Sequence, residues 1–148
     1  MYVREFMSAD PVCCTPQSSL AEVARLMVDC DCGEIPVIAS ADSGKPVGVI
    51  TDRDITCRTV AKGLNPLDLT AADCMSSPVI TVTPDTILEE CCRTMEEHQI
   101  RRVPVVDEAG CCCGVVSQAD IARAGGRRLA GEVVSEVSRA SSTPSRVG

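Results

Sequence analysis

The sequence predicts an α+β fold built from two copies of one β-α-β-β-α unit. Three observations carry this: short peptides that recur at offsets of 66 to 68 residues, one helical apolar stripe per copy, and paired apolar runs separated by turn residues.

The repeats come first. Met7-Ser8 recurs as Met75-Ser76, Pro11-Val12 as Pro78-Val79, and Thr15-Pro16 as Thr83-Pro84. Ile35-Pro36-Val37-Ile38 recurs as Val103-Pro104-Val105-Val106, and Gly48-Val49-Ile50-Thr51 as Gly114-Val115-Val116-Ser117. Each copy opens with a short extended segment that ends at Thr15-Pro16 or Thr83-Pro84. A helix follows, with Leu20, Val23, Ala24 and Met27 on its apolar face in the first copy and Leu88, Cys91, Cys92 and Met95 in the second. That i, i+3, i+4, i+7 spacing places the four on one stripe. Ser19 with Glu22, and Thr86 with Glu89, have the spacing of capping boxes that open these helices.

Two apolar runs follow in each copy, Ile35–Ala39 with Val47–Ile50 and Val103–Val106 with Cys113–Val116, and each pair reads as a hairpin of buried strands. A second helix is expected from Asp52 and from Gln118. Lys62-Gly63-Leu64-Asn65-Pro66 stops a helix and turns the chain, and a short capped turn from Thr70 to Met75 leads into the second copy. The expected division is repeat 1 at 1–62, a linker at 63–74, repeat 2 at 75–126 and a tail at 127–148. In the tail, Leu129, Val133, Val134 and Val137 could line one side of a short helix, and the Ser-rich end is expected to be disordered.

Composition narrows the function classes. The 148 residues are 45% hydrophobic and 24% charged, ordinary globular usage for a chain able to bury a core without a staple. Acidic residues outnumber basic ones by 21 to 14, for a net charge of −7, which argues against nucleic acid as a partner. Tyr2 and Phe6 are the only aromatics, so a planar ligand would rest on aliphatic side chains and backbone. No apolar run approaches the roughly 20 residues of a membrane span, and the start lacks a signal-peptide pattern, so the expected location is cytoplasmic.

Eleven cysteines stand out. They include neighbours (Cys13-Cys14, Cys91-Cys92) and a C-x-C, Cys30 and Cys32, without the C-x-x-C pairs of zinc sites. The repeat aligns Cys91 with Val23, Cys92 with Ala24 and Cys113 with Val47, so these read as small core hydrophobes. Cys13 and Cys14 lie near a turn, and the alignment leaves their role open. His98, the only histidine, falls at a helix end as a dipole partner with no nucleophile placed beside it. With no P-loop and no H-E-x-x-H motif, the chain is not expected to be an enzyme.

Chemistry concentrates where the third strand of each copy meets its second helix, at Gly48-Val49-Ile50-Thr51-Asp52-Arg53-Asp54 and Gly114-Val115-Val116-Ser117-Gln118-Ala119-Asp120. Thr51 and Ser117 precede free backbone N–H groups that receive a phosphate well, and Asp54 and Asp120 offer acceptor pairs that suit a ribose diol. The same spacing is also a plain capping box. Arg53, just inside the helix, could touch a phosphate.

These doubled motifs, with the Pro36 and Pro104 strands, resemble a tandem pair of cystathionine-β-synthase (CBS) domains, a Bateman module, over roughly Val3 to Ala124. The resemblance implies two units packed by their sheets about a pseudo-two-fold axis, with two clefts for adenosine derivatives: AMP, ADP, ATP, NAD-type cofactors or S-adenosylmethionine. It implies that Thr51 and Ser117 face phosphate and Asp54 and Asp120 the ribose. Adenine would lie between the first strands (Val12 to Thr15, and Val79 to Thr83) and the strands at Pro36 and Pro104. It further implies a homodimer and, since no effector domain is attached, a separate effector protein. Arg101 and Arg102 precede the second Pro strand where Gly33 and Glu34 precede the first. A basic residue at Arg102 would meet a phosphate that Glu34 repels, so unequal clefts are expected. Two alternatives stand beside this reading: a dimerising scaffold with empty clefts, and a cysteine-based redox or metal sensor.

Overall fold

A computed structural model describes residues 1–125 together with 137 and 138. Five strands and five α-helices follow one another along them: β1 (Ser8–Ala9), α1 (Leu20–Cys30), β2 (Glu34–Ile38), β3 (Pro46–Thr51), α2 (Asp52–Arg58), α3 (Ala71–Cys74), α4 (Leu88–His98), β4 (Arg102–Val106), β5 (Cys112–Ser117) and α5 (Gln118–Gly125). The α+β class and the doubled unit are as the sequence predicts. Among the described residues no helix is long and apolar enough to cross a membrane.

The chain forms two compact units that interleave in sequence. One comprises Pro11–Val79 with Gly110–Cys112. The other comprises Met1–Asp10, Ile80–Ala109 and the chain from Cys113 on.

In the first of these, β2 and β3 form an antiparallel hairpin with Ile35 opposite Ile50 and Pro36 opposite Val49. The extended segment before α1 joins the far side of β2: Cys14 N donates to Pro36 O at 3.0 Å and Ile38 N to Cys14 O at 2.8 Å. On the other side, Ser76 pairs antiparallel with Val49. The core beneath holds Cys14, Leu20, Val23, Met27, Ile35, Val37, Ile50, Ala71 and Cys74.

The other unit repeats each feature. Val82 N donates to Pro104 O at 3.1 Å and Val106 N to Val82 O at 2.9 Å, β4 lies beside β5, and β1 pairs with β5 through Ser8 and Val115. Its core holds Val3, Val82, Leu88, Cys91, Cys92, Met95, Val103, Val105, Val116, Ile121 and Val137. Position by position these match the first set: Leu88 for Leu20, Cys91 for Val23, Met95 for Met27, Val103 for Ile35. Val3 takes the place of Ala71. Each unit therefore takes its Met-Ser edge and the helical turn before it from the stretch of chain that precedes the opposite repeat.

Several local expectations are corrected. Thr86 does not cap α4. Its hydroxyl accepts from Thr83 N at 3.1 Å, as Ser18 accepts from Thr15 N at 3.0 Å in the first copy. The N-cap of α4 is Ile87, which has no side-chain acceptor, and this is the true counterpart of Ser19. Ser19 does cap α1, receiving Glu22 N at 3.1 Å. Ala24 is exposed although its counterpart Cys92 is buried. Cys113 is half-buried at the edge of its core, as is Val47 in the other, because both sit at outer positions of their strands. Leu129, Val133, Val134 and the Ser-rich end lie outside the described residues, whereas Val137 is buried in the core.

Candidate functional site

The glycine that opens each motif is demanded by the strand beside it. A Cβ on Gly48 would lie 2.7 Å from Ser76 O and 3.2 Å from Met75 Sδ. On Gly114 it would lie 2.7 Å from Met7 Sδ and 3.1 Å from Ser8 O. The Met-Ser pair and the glycine, seen in the sequence as separate repeats, are thus two sides of one contact in each unit.

At the end of β3 the chain turns into α2 through Thr51, whose extended backbone (φ −111°, ψ 161°) leaves its own N–H outside the helix. Asp54 N donates to Thr51 Oγ at 3.0 Å and Thr51 N donates to Asp54 Oδ2 at 3.0 Å, a reciprocal capping box. Asp54 Oδ1 lies 3.8 Å from Arg58 Nη2. Arg58 itself donates to Cys74 O at 3.0 Å, to Met75 O at 2.9 Å and to Ser76 Oγ at 3.2 Å, tying α2 to the edge segment. Half-buried Thr51 retains a hydroxyl proton to donate, and Asp54 retains lone pairs on Oδ1.

The second copy is closed more tightly. Ser117 N donates to Asp120 Oδ2 at 2.9 Å and Ser117 Oγ donates to the same oxygen at 3.1 Å. Asp120 N returns a bond to Ser117 Oγ at 3.2 Å, and Arg123 pairs with Asp120 Oδ1. Asp120 is 3% exposed, so its carboxylate is held by three internal donors, Ser117 N, Ser117 Oγ and Arg123, rather than by water. The two copies share a pattern but differ in how much hydrogen-bonding capacity they leave over.

Each unit brings part of the remaining set into one layer. In the first, Thr15 follows Cys14, which bonds to Pro36 on β2, and Thr51 stands opposite Glu34 in the hairpin register. Arg53 is exposed, and Val79 is half-buried at the end of this unit. In the second, exposed Thr83 follows Val82, which bonds to Pro104 O, and Gln118 N donates to Arg101 O at 3.2 Å. Arg101 is exposed and Arg102 half-buried at the start of β4, while Pro36 and Pro104 are buried. The structure thus assigns Val79 and Thr83, named together for adenine, to different units. Sequence reading missed Arg58 and Arg123. The signal was present as Asp54-Arg58 and Asp120-Arg123 spacings of i,i+4 and i,i+3.

The remaining candidates carry little chemistry. His98 is exposed in the last turn of α4, with Nδ1 2.9 Å from Thr94 O. No group of three or more His, Cys, Asp or Glu side chains is disposed to hold a metal among the described residues. Burial pushes the Cys14 thiol up to about 11 and the Cys91 thiol to about 12, and also raises Cys74. Cys13 moves the other way, because a hydrogen bond from Cys112 stabilises its thiolate more than partial burial disfavours it.

The chain is 35% identical over 119 residues to the uncharacterized protein MK0525 of Methanopyrus kandleri, covering 80% of this chain and 60% of that protein. It is 36% identical over 120 residues to Hypoxic response protein 1 of Mycobacterium tuberculosis, covering 81% of this chain and 82% of that one. The crystal structure of Hypoxic Response Protein I with two coordinated zinc ions superposes with a TM-score of 0.73 at 35% identity, over 84% of this chain and 98% of that one. CBSX2 of Arabidopsis thaliana, solved in complex with AMP, gives a TM-score of 0.70 at 27% identity, over 83% of this chain and 94% of that one. The CBS domain pair of MJ0100, solved with 5′-methylthioadenosine and S-adenosyl-L-methionine, gives 0.74 at 27% identity, over 84% and 98% of the two chains. Matches to the CBS domain cover residues 3–58 and 71–127, and the chain belongs to the CBS domain family as a tandem pair.

Proposed function

We propose that this chain is a regulatory module that binds an adenosine-containing ligand and passes the signal to a separate effector protein. The observation that supports it best is the doubled strand–helix junction, Thr51/Asp54 and Ser117/Asp120, in a chain whose structural relatives were solved with AMP and with 5′-methylthioadenosine and S-adenosyl-L-methionine. In this reading Thr51 and Ser117 face phosphate, Asp54 and Asp120 the ribose, and the Thr15–Pro36 and Thr83–Pro104 edges the adenine. Arg53, Arg101 and Arg102 supply positive charge that a nucleotide meets in a chain of net charge −7. The module acts in the cytoplasm, as a homodimer and without catalysis.

A scaffold reading keeps one specific support: reciprocal capping already explains both Ser/Thr–Asp pairs without any ligand. Thermal unfolding with AMP, ATP, NADH and S-adenosylmethionine separates the two, because a ligand that binds only the folded state raises the melting temperature. A rise with at least one of them, lost in Thr51→Ala with Ser117→Ala, is the expected result. No rise with any, at concentrations up to the millimolar range, favours the scaffold.

A further inference from the structure

The cysteine neighbours that the core does not absorb meet at one place in the unit comprising Pro11–Val79 and Gly110–Cys112. Cys14 turns into the core, so Cys13, next to it on an extended segment, turns to the opposite side. There its thiol donates to Pro11 O at 3.5 Å and is hydrogen-bonded by the Cys112 side chain. Cys112 is held from behind, its N–H donating to Gly44 O at 2.9 Å. The neighbouring Cys111 thiol donates to Ser43 O at 3.1 Å, which keeps it on the hairpin loop. Cys13 and Cys112 are both half-buried, so a small reagent reaches them, and both belong to segments fixed by backbone bonds.

We propose that Cys13 and Cys112 are an oxidisable dithiol that a hydroperoxide converts to an intramolecular disulfide. The Cys13 thiolate attacks the terminal oxygen of the hydroperoxide. The O–O bond breaks, the alcohol or water leaves with one proton, and Cys13 becomes a sulfenic acid. The Cys112 sulfur then attacks Cys13 Sγ. The S–S bond forms as the S–O bond breaks, and the hydroxyl leaves as water with the Cys112 proton. Two thiols lose two electrons and the hydroperoxide gains them. Cys13 is the attacking member because the Cys112 hydrogen bond favours its thiolate, the nucleophilic form. Closing the bond needs the sulfurs to move from hydrogen-bond contact to about 2.05 Å. Cys14 and Cys91, whose thiols are held protonated by burial, stand outside the reaction.

The test treats the full-length protein with one equivalent of hydrogen peroxide, blocks the remaining thiols under denaturing conditions, and maps cross-linked peptides without reduction. A link between the Cys13 and Cys112 peptides is expected, with a mass lower by two hydrogens and reversed by dithiothreitol. It persists in Cys14→Ser and Cys111→Ser and disappears in Cys13→Ser and Cys112→Ser, with folding of each variant checked by circular dichroism. Cys112→Ser should also trap the sulfenic acid on Cys13 as a dimedone adduct, at least tenfold above wild type. Where Cys112→Ser does not fold, Cys112→Ala serves in its place. A link that survives Cys13→Ser, a link to Cys111 or Cys113 in place of Cys112, or eleven thiols still free after treatment overturns the proposal.

Discussion

Replacing Gly48 with alanine tests whether the motif glycine serves the strand or a ligand. The added Cβ would sit 2.7 Å from Ser76 O, a backbone atom that cannot swing aside. A comfortable carbon–oxygen contact is about 3.3 Å, so the Ser76 segment must retreat by roughly 0.6 Å. Its two bonds to Val49, 3.0 and 2.8 Å long, would stretch to or past the usual hydrogen-bond range. Two such bonds are worth about 1–3 kcal/mol net, from which the lower chain entropy of alanine returns about 0.5–1 kcal/mol. The expected loss is therefore about 1–2 kcal/mol, or a melting point lower by about 3–8 °C for a chain of this size. Gly114→Ala is the internal control. Its tightest contact is the thioether end of Met7, and Ser8 O lies farther off at 3.1 Å, so a rotamer change relieves most of the crowding. The loss there should stay within about 0.5 kcal/mol, and Met7→Ala should remove it. Urea denaturation with a constant slope reads both. A Gly114→Ala penalty equal to or larger than that of Gly48→Ala would refute the steric argument.

Other expectations follow from the same contacts. Asp120→Ala removes the acceptor of both Ser117 donors from a buried site and should cost about 1–3 kcal/mol in denaturation, against about 1 kcal/mol for the half-buried Asp54→Ala. If the carboxylates also hold ribose, Asp54→Ala weakens adenosine-ligand binding measured by calorimetry by about tenfold; unchanged affinity for every ligand that binds wild type removes Asp54 from the site. Alkylation of Cys13 should rise with pH through a midpoint below that of an ordinary thiol, and Cys112→Ala should move that midpoint upward, because the stabilising donor is gone; Cys91 should stay unlabelled until denaturant is added. Calorimetry with ATP should resolve one tighter site that Arg102→Ala weakens and a looser one that Glu34→Gln strengthens, and two equal sites insensitive to both substitutions contradict the charge argument.

Periodicity made the repeated unit legible, because Leu20, Val23 and Met27 recur as Leu88, Cys91 and Met95 and each set faces one core. The strand–helix junctions were legible for the same reason: a Thr or Ser three residues before Asp has only a few local arrangements open to it. The α4 cap was misread by one position, because Thr86 fits the capping pattern as well as the turn it forms with Thr83. Ala24 was misplaced because a small side chain on a stripe edge gains too little by burial to be held there. The different closure of the two junctions was not legible, since it depends on Arg123 folding back on Asp120 while Arg58 reaches across to Met75 and Ser76. Nor was the pairing of Ser8 with Val115, which brings together residues from opposite ends of the chain and leaves no local pattern. The same holds for Cys13 and Cys112.

The exchange of Met-Ser edges makes the duplicated sequence and the folding body two different things. A cut in the loop after Gly63 yields an N-terminal piece that lacks Ala71, Cys74 and Ser76, three residues its own core and edge require. That piece carries instead Val3, Ser8 and Ala9, which complete the core and edge of the other piece. Neither piece should fold alone, and each would expose an unpaired strand edge open to association. Mixed, they should complement one another stoichiometrically and regain the melting behaviour of the intact chain, less the entropy of the lost tether. Two intact chains could satisfy the same pairings by trading N-terminal arms, so the first ten residues are where a swapped dimer would begin.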